Sequence, residues 1–262
     1  MREHAPWLSH YPAGVPSSVE VDRYASVPAL MEESFAQHAS ACAYLGMGTA
    51  LSFGDLGRLS RDFGAWLQVQ GLQRGDRVAL MMPNVLAYPV ATAAVLRAGF
   101  VVVNVNPLYT PRELEHQLRD SGATAIVILE NFAATLQQVL DRVALQLVVV
   151  TAMGDLQPFW KGALVNHMVR RVKKLVPPWD LPGCTSFTQA LKQGKRLTLS
   201  SVDLKPSDLA VLQYTGGTTG VSKGAMLLHS TIIANLLTSE AWMQPGLQRR
   251  KITGQLTIVC AL

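Results

Sequence analysis

Cysteine is scarce and charge is thin in this chain of 262 residues. Its three cysteines, Cys42, Cys184 and Cys260, are odd in number and far apart. That argues against a disulfide framework and against a thiolate metal site, and it fits a reducing cytoplasm. The six histidines include no HExxH and no pair at helical spacing, so no metal centre is expected from them. Charged residues make up 16% of the chain against 49% hydrophobic. Such a chain can bury a sizeable core, as one large or two modest domains. Its aromatics are not interleaved with basic residues in a nucleic-acid-binding pattern, so no nucleic-acid partner is expected. Met1 to Pro6 lacks the apolar core of a signal peptide. The uncharged run Val78 to Leu96 approaches the length of a bilayer span. Pro83, Asn84 and Pro89 interrupt it and its pattern changes midway, which favours a strand followed by a helix.

From about residue 50 onward, strand and helix signals alternate. Ser52 with Asp55 reads as a helix cap, opening a helix that runs to about Gln70 and stops at Gly71. A strand over 77–82 follows, then a helix over 84–97 capped by Asn84, then the β-rich run 100–105. Thr110-Pro111-Arg112-Glu113 is a second capping box with proline in the first turn, and its helix ends near Ser121-Gly122. Strands over 124–129 and 146–151 flank a helix over 131–143. Continuous apolar strands between amphipathic helices mean parallel βαβ units with both sheet faces covered. Further on, a strand at Leu209–Tyr214 is expected, a short strand from Ala225, a helix capped by Ser230 and running to about Met243, and a buried strand from Leu256 to Leu262.

Residues 157–180 break the rhythm. Trp160, Leu164, Met168, Val172 and Leu175 fall at helical spacing among Lys161, Arg170, Arg171, Lys173 and Lys174, five charges that match the chain's net +5. One reading is a surface helix packed on its own domain with a solvated basic face. The other is a basic amphipathic helix lying on an anionic membrane surface through 160–176.

Chemistry concentrates in Tyr214-Thr215-Gly216-Gly217-Thr218-Thr219-Gly220-Val221-Ser222-Lys223-Gly224. Glycines let the backbone approach a ligand closely, so successive N–H groups can line an anion nest. Threonine hydroxyls add donors, and Lys223 adds a mobile point charge suited to phosphate. The Walker A pattern needs lysine directly after the last glycine, and here Val221 and Ser222 intervene. No Gly-x-Gly-x-x-Gly occurs either. A loop between two strands, not one opening a helix, is expected.

These residues resemble the phosphate-binding motif of the adenylate-forming (AMP-binding) superfamily, usually Tyr-Thr-Ser-Gly-Thr-Thr-Gly-x-Pro-Lys-Gly. Gly216 replaces the usual serine and Ser222 the usual proline. The run from Leu212 to Met226 is similar to bacterial long-chain fatty acid–CoA ligases in particular, as are Gly75 to Asn84, Arg97 to Pro111 and Tyr11 to Gly14. The resemblance implies the N-terminal α/β part of the acyl-CoA synthetase-like fold, incomplete at the C-terminus, with residues 1–180 as one subdomain and 181–262 beginning a second. It implies ATP-dependent activation of a fatty acid to an acyl-adenylate, followed by transfer to CoA as co-substrate. Tyr214, Thr215, Gly216, Gly217, Thr218, Thr219, Gly220, Val221, Ser222, Lys223, Gly224 and Ala225 would hold the nucleotide. The family places its Mg2+-linked glutamate, ribose-binding aspartate and catalytic lysine beyond the motifs present here. The 262 residues are therefore expected to be an inactive fragment when alone, with no catalytic residue of their own. Other readings are an adenylating enzyme for an aryl or amino acid, and a residual nucleotide- or membrane-binding module. The expected location is the cytoplasm or the periphery of the inner membrane. At His229-Ser230-Thr231, where the family carries a His-Arg-Asn-like stretch, only the histidine remains, and it reads as either a surface capping residue or a functional one.

Overall fold

The computed structural model describes residues 5–215 and 222–260. Valine-, isoleucine- and alanine-rich runs become the strands of a seven-stranded sheet, because β-branched side chains fit a pleated surface covered on both faces. Its members are β3 (Arg77–Met81), β4 (Val101–Asn104), β5 (Ala123–Leu129), β6 (Leu147–Thr151), β7 (Thr185–Ser186), β8 (Leu209–Thr215) and β9 (Lys223–Leu228). The order is β7-β6-β5-β3-β4-β8-β9, with every pairing parallel except β8 with β9. The sheet thus contains strands from both sides of residue 180. Before it come α1 (Val27–Gln37) and a separate hairpin of β1 (Cys42–Gly46) and β2 (Thr49–Ser52).

Period-two alternation along the strands splits the core into two layers. Val78, Leu80, Val102 and Val127 face one way, against α1, α2 (Phe53–Gln68), α3 (Ala87–Arg97), α7 (Phe187–Gly194) and α8 (His229–Arg249). Ala79, Met81, Val103, Ile126 and Ile128 face the other way, against α4 (Pro111–Ser121) and α5 (Ala133–Gln137). The result is the three-layer α/β arrangement expected of such strands.

Both capping signals hold. Ser52 accepts from the Asp55 N–H and opens α2. Thr110 and Glu113 form a complete capping box, and Gly122 ends α4 in the left-handed region at φ 64°. Four other sequence expectations need correction. Helix α3 starts at Ala87 rather than Asn84 and has no side-chain cap; the Asn84 amide instead reaches the Cys260 carbonyl and Sγ. The helix expected over 131–143 breaks into α5 between two short 3-10 turns, an arrangement that buries both Leu136 and Val139. Ser230 is not a cap. The N–H groups of His229 and Ser230 are taken by the carbonyls of Asp208 and Pro206, so α8 opens without a side-chain cap. Residues 256–260 form no strand and are exposed, because an apolar run becomes a strand only where a neighbouring strand receives it.

The basic stretch becomes α6 (Phe159–His167) running into a π turn (Met168–Val172). Its large apolar residues at helical spacing are exposed although the helix docks on the domain. Phe159 is 77% exposed, Trp160 82% and Leu164 62%. What docks the helix is the face bearing Gly162. A Cβ there would lie 2.6 Å from the Gly154 carbonyl, so only glycine permits this approach. Among the described residues, no helix is long and apolar enough to cross a membrane. All three cysteines are free.

Candidate nucleotide site

The connection out of β4 runs through α4 to β5 on one side, whereas β8 leads to β9 on the other. Two adjacent parallel strands whose exits diverge leave a crevice outside their carboxyl ends, and ligands of open α/β sheets sit in such crevices. The Gly/Thr stretch begins at the carboxyl end of β8, and β9 starts at Lys223. Of the twelve sequence-expected residues, Tyr214, Thr215, Ser222, Lys223, Gly224 and Ala225 are described; Gly216, Gly217, Thr218, Thr219, Gly220 and Val221 lie outside the described residues.

The two flanking strand ends are tied together. Thr215 pairs with Lys223 and Tyr214 with Gly224 in antiparallel register. The Ser222 hydroxyl donates to the Thr215 carbonyl at 2.9 Å, a tie that the proline usual at this position could not make, since it carries no hydroxyl. Lys223 and Thr215 are exposed, so the ammonium is available to an anion. Tyr214 is buried and its phenol donates to the Asp120 carboxylate at 2.5 Å. Burial first, and then the neighbouring carboxylate, push its pKa far above the ordinary tyrosine range, which keeps the phenol protonated. The Tyr214 ring lies against Gly224, where a Cβ would fall 2.9 Å from Cε2 and Cζ. That glycine is therefore needed for packing, whatever it does for a ligand.

Behind the strand ends lies a polar relay that the sequence reading did not single out. The Tyr88 hydroxyl donates to Asn104 Oδ1 at 2.9 Å, and the Asn104 amide donates to Gln213 Oε1 at 2.8 Å. Gln117 donates to the Asn104 carbonyl at 2.7 Å. An asparagine ending the run Val101-Val102-Val103 was the available signal, because a half-buried polar group at a strand end needs partners. His229 is neither a surface residue nor part of this crevice. It is 1% exposed, and its Nδ1 accepts from the Val27 N–H at 3.2 Å at the start of α1. Burial lowers its pKa, partly opposed by the Asp208 charge.

A hollow of about 610 Å³ lined by Glu32, Arg61, Arg97, Lys195 and Val202 lies elsewhere. Val202 packs against Gly99, just before β4, so this hollow is at the amino ends of the strands, away from the crevice. No group of three or more metal-ligating side chains occurs among the described residues.

A family model described as AMP-binding enzyme matches residues 31–262. The chain is 54% identical over 246 residues to a long-chain-fatty-acid–CoA ligase of Escherichia coli O157:H7, covering 94% of this chain and 44% of that protein. It is 35% identical to the ligase of the same description from Bacillus subtilis, over 93% of this chain and 43% of that one. The chain thus spans less than half the length of the curated relatives it matches. Among solved structures, a long-chain-fatty-acid-CoA ligase from Archaeoglobus fulgidus superposes with a TM-score of 0.66 at 23% identity, over 87% of this chain and 41% of that one. The anthranilate CoA ligase AuaEII, bound to anthranoyl-AMP, gives a TM-score of 0.65 at 18% identity, over 81% of this chain and 37% of that one. At such identities the likeness shows the fold alone.

Proposed function

As the chain belongs to the AMP-binding enzyme family, we propose that it carries the triphosphate-gripping part of a long-chain fatty acid–CoA ligase. The observation that carries this reading is the exposed Lys223 at the head of β9, held by the Ser222–Thr215 tie at the mouth of the β4/β8 crevice. In the whole protein, a fatty acid carboxylate oxygen attacks the α-phosphorus of ATP. The bond to the β-phosphate breaks and pyrophosphate leaves. The CoA thiol then attacks the acyl carbonyl, and AMP departs. Negative charge grows on the leaving pyrophosphate, and Lys223 together with the N–H and hydroxyl donors of the 215–224 motif would stabilise it. Mg2+ would enter with ATP and neutralise phosphate charge. The identity of 54% to fatty acid ligases supports a fatty acid over an aryl or amino acid substrate.

Calorimetric titration of the 262-residue chain with MgATP and with inorganic pyrophosphate tests the grip. Lys223→Ala should weaken both by about tenfold or more, the scale of one charge-assisted contact to phosphate. Unchanged affinity in that variant sinks the assignment of Lys223. Because the remaining family motifs are absent from these 262 residues, the chain alone should give no acyl-CoA, and detectable turnover by the purified chain would contradict that.

We also propose that α6 and the turn after it rest on an anionic membrane surface. Phe159, Trp160, Leu164, Val172 and Leu175 expose more than half their surface. Of the basic residues, Arg170 is spent on Glu130 and Lys161 on Met47 and Thr49. Arg171, Lys173 and Lys174 form no ion pair among the described residues and are left to face lipid headgroups.

A further inference from the structure

Asp120 lies outside every motif of the sequence reading, and its place in α4 needs a reason. It occupies the last turn of the helix, where a carboxylate faces the negative end of the helix dipole and is unfavourable. No cation lies within ion-pair distance of it among the described residues. Its one side-chain hydrogen bond there is from the Tyr214 hydroxyl at 2.5 Å, 94 residues away in sequence. Tyr214 is the last buried residue of β8 before the Gly/Thr stretch. Its hydroxyl is held by Asp120, and its ring lies close against Gly224 of the returning strand. One phenol therefore links α4, β8 and β9 at the point where the loop leaves and re-enters the sheet.

We propose that Asp120 is a positioning residue for phosphate binding, acting through Tyr214 to fix the strand ends that carry the Gly/Thr loop. The physical gain is preorganisation. Strand ends that are already fixed lose no further freedom when a ligand arrives, which lowers the ordering cost of the complex. Asp120 itself does not touch the nucleotide; like charges would repel. The inference rests on the reading of residues 215–224 as a phosphate site.

The test is a double-mutant cycle on the 262-residue chain, titrated with MgATP and with inorganic pyrophosphate. Asp120→Ala and Tyr214→Phe should each weaken both ligands by about fivefold to tenfold. The double variant should be no weaker than either single one, because both remove the same bond. Asp120→Asn, whose side-chain carbonyl can still accept from the phenol, should restore most of the affinity. Urea midpoints run alongside separate folding from binding. A merely structural bond would lower the midpoint of Tyr214→Phe and leave its ligand affinity unchanged, and that result overturns the proposal. Additive losses in the double variant overturn it as well, as does an Asp120→Asn variant no better than Asp120→Ala. If the unsubstituted chain binds neither ligand, the phosphate reading itself falls and the positioning role falls with it. If it binds both and all variants match it, only the positioning role falls.

Discussion

A histidine that reads from its neighbours as either a surface cap or a functional residue turns out to be a buried acceptor. His229 Nδ1 takes a hydrogen bond from the Val27 N–H, which requires the neutral ring with its proton on the other nitrogen. Burial lowers its pKa from the ordinary histidine value, so the unfolded chain takes up this proton at a higher pH than the folded one does. The group therefore contributes stability that is fully present above about pH 6.5, the unfolded value, and is lost as pH falls through the lower folded value. Urea unfolding of the chain should accordingly show a midpoint that drops between pH 7.5 and pH 5. His229→Asn, which keeps an acceptor but cannot titrate, should show a flatter profile over that range. Identical profiles for the two proteins would remove His229 from the account. Gly224 makes a second point at this scale. In the motif it looks like one more glycine for a ligand, yet its lack of a Cβ is demanded by the Tyr214 ring.

At the scale of elements, α4 carries the most consequence. Its start is written in Thr110-Pro111-Arg112-Glu113, and the reciprocal capping box forms as expected, with Glu113 held below the ordinary carboxylate range by its bonds to Thr110. Thr110→Ala should cost about 1 kcal/mol of stability, seen as a lower urea midpoint with an unchanged slope. No shift in the midpoint would mean that packing of Leu114 and Leu118 alone holds the helix. Position α4 correctly and Gln117 reaches the Asn104 carbonyl while Asp120 reaches Tyr214. The element is local, but both of those contacts are not. Helix α6 shows the reverse case. Its apolar and basic periodicity was plain, but the choice between packing on the domain and facing outward lay with Gly162, whose bare backbone is the part that docks.

At the scale of the whole molecule, the exposed apolar face of α6 and the charges after it lie on one stretch, and its membrane role can be tested directly. Neutralising Arg171, Lys173 and Lys174 to glutamine should weaken sedimentation with anionic liposomes, at about 1 kcal/mol per charge near the surface. The loss should shrink as salt rises, since screening already weakens those contacts. Trp160→Ser should weaken binding to anionic and neutral vesicles alike. If neutralising the three charges leaves liposome binding unchanged, the membrane reading of α6 fails.

What the sequence determined by itself were the features encoded within a few residues. The parallel strands follow from continuous β-branched runs, the caps of α2 and α4 from Ser52 and Thr110, and the phosphate motif from its own glycines, threonines and lysine. The starts of α3 and α8 lie elsewhere than their local sequence suggests. In α8 the free N–H groups found distant carbonyls in place of a neighbouring side chain. Only the tertiary structure could decide which strands are adjacent. That adjacency places the divergence point between β4 and β8, closes the relay from Tyr88 through Asn104 to Gln213, and brings Asp120 to Tyr214. Such contacts join residues up to 109 or 94 positions apart. No short-range pattern encodes them, because hydrogen bonds between side chains form wherever folding has already brought two elements together.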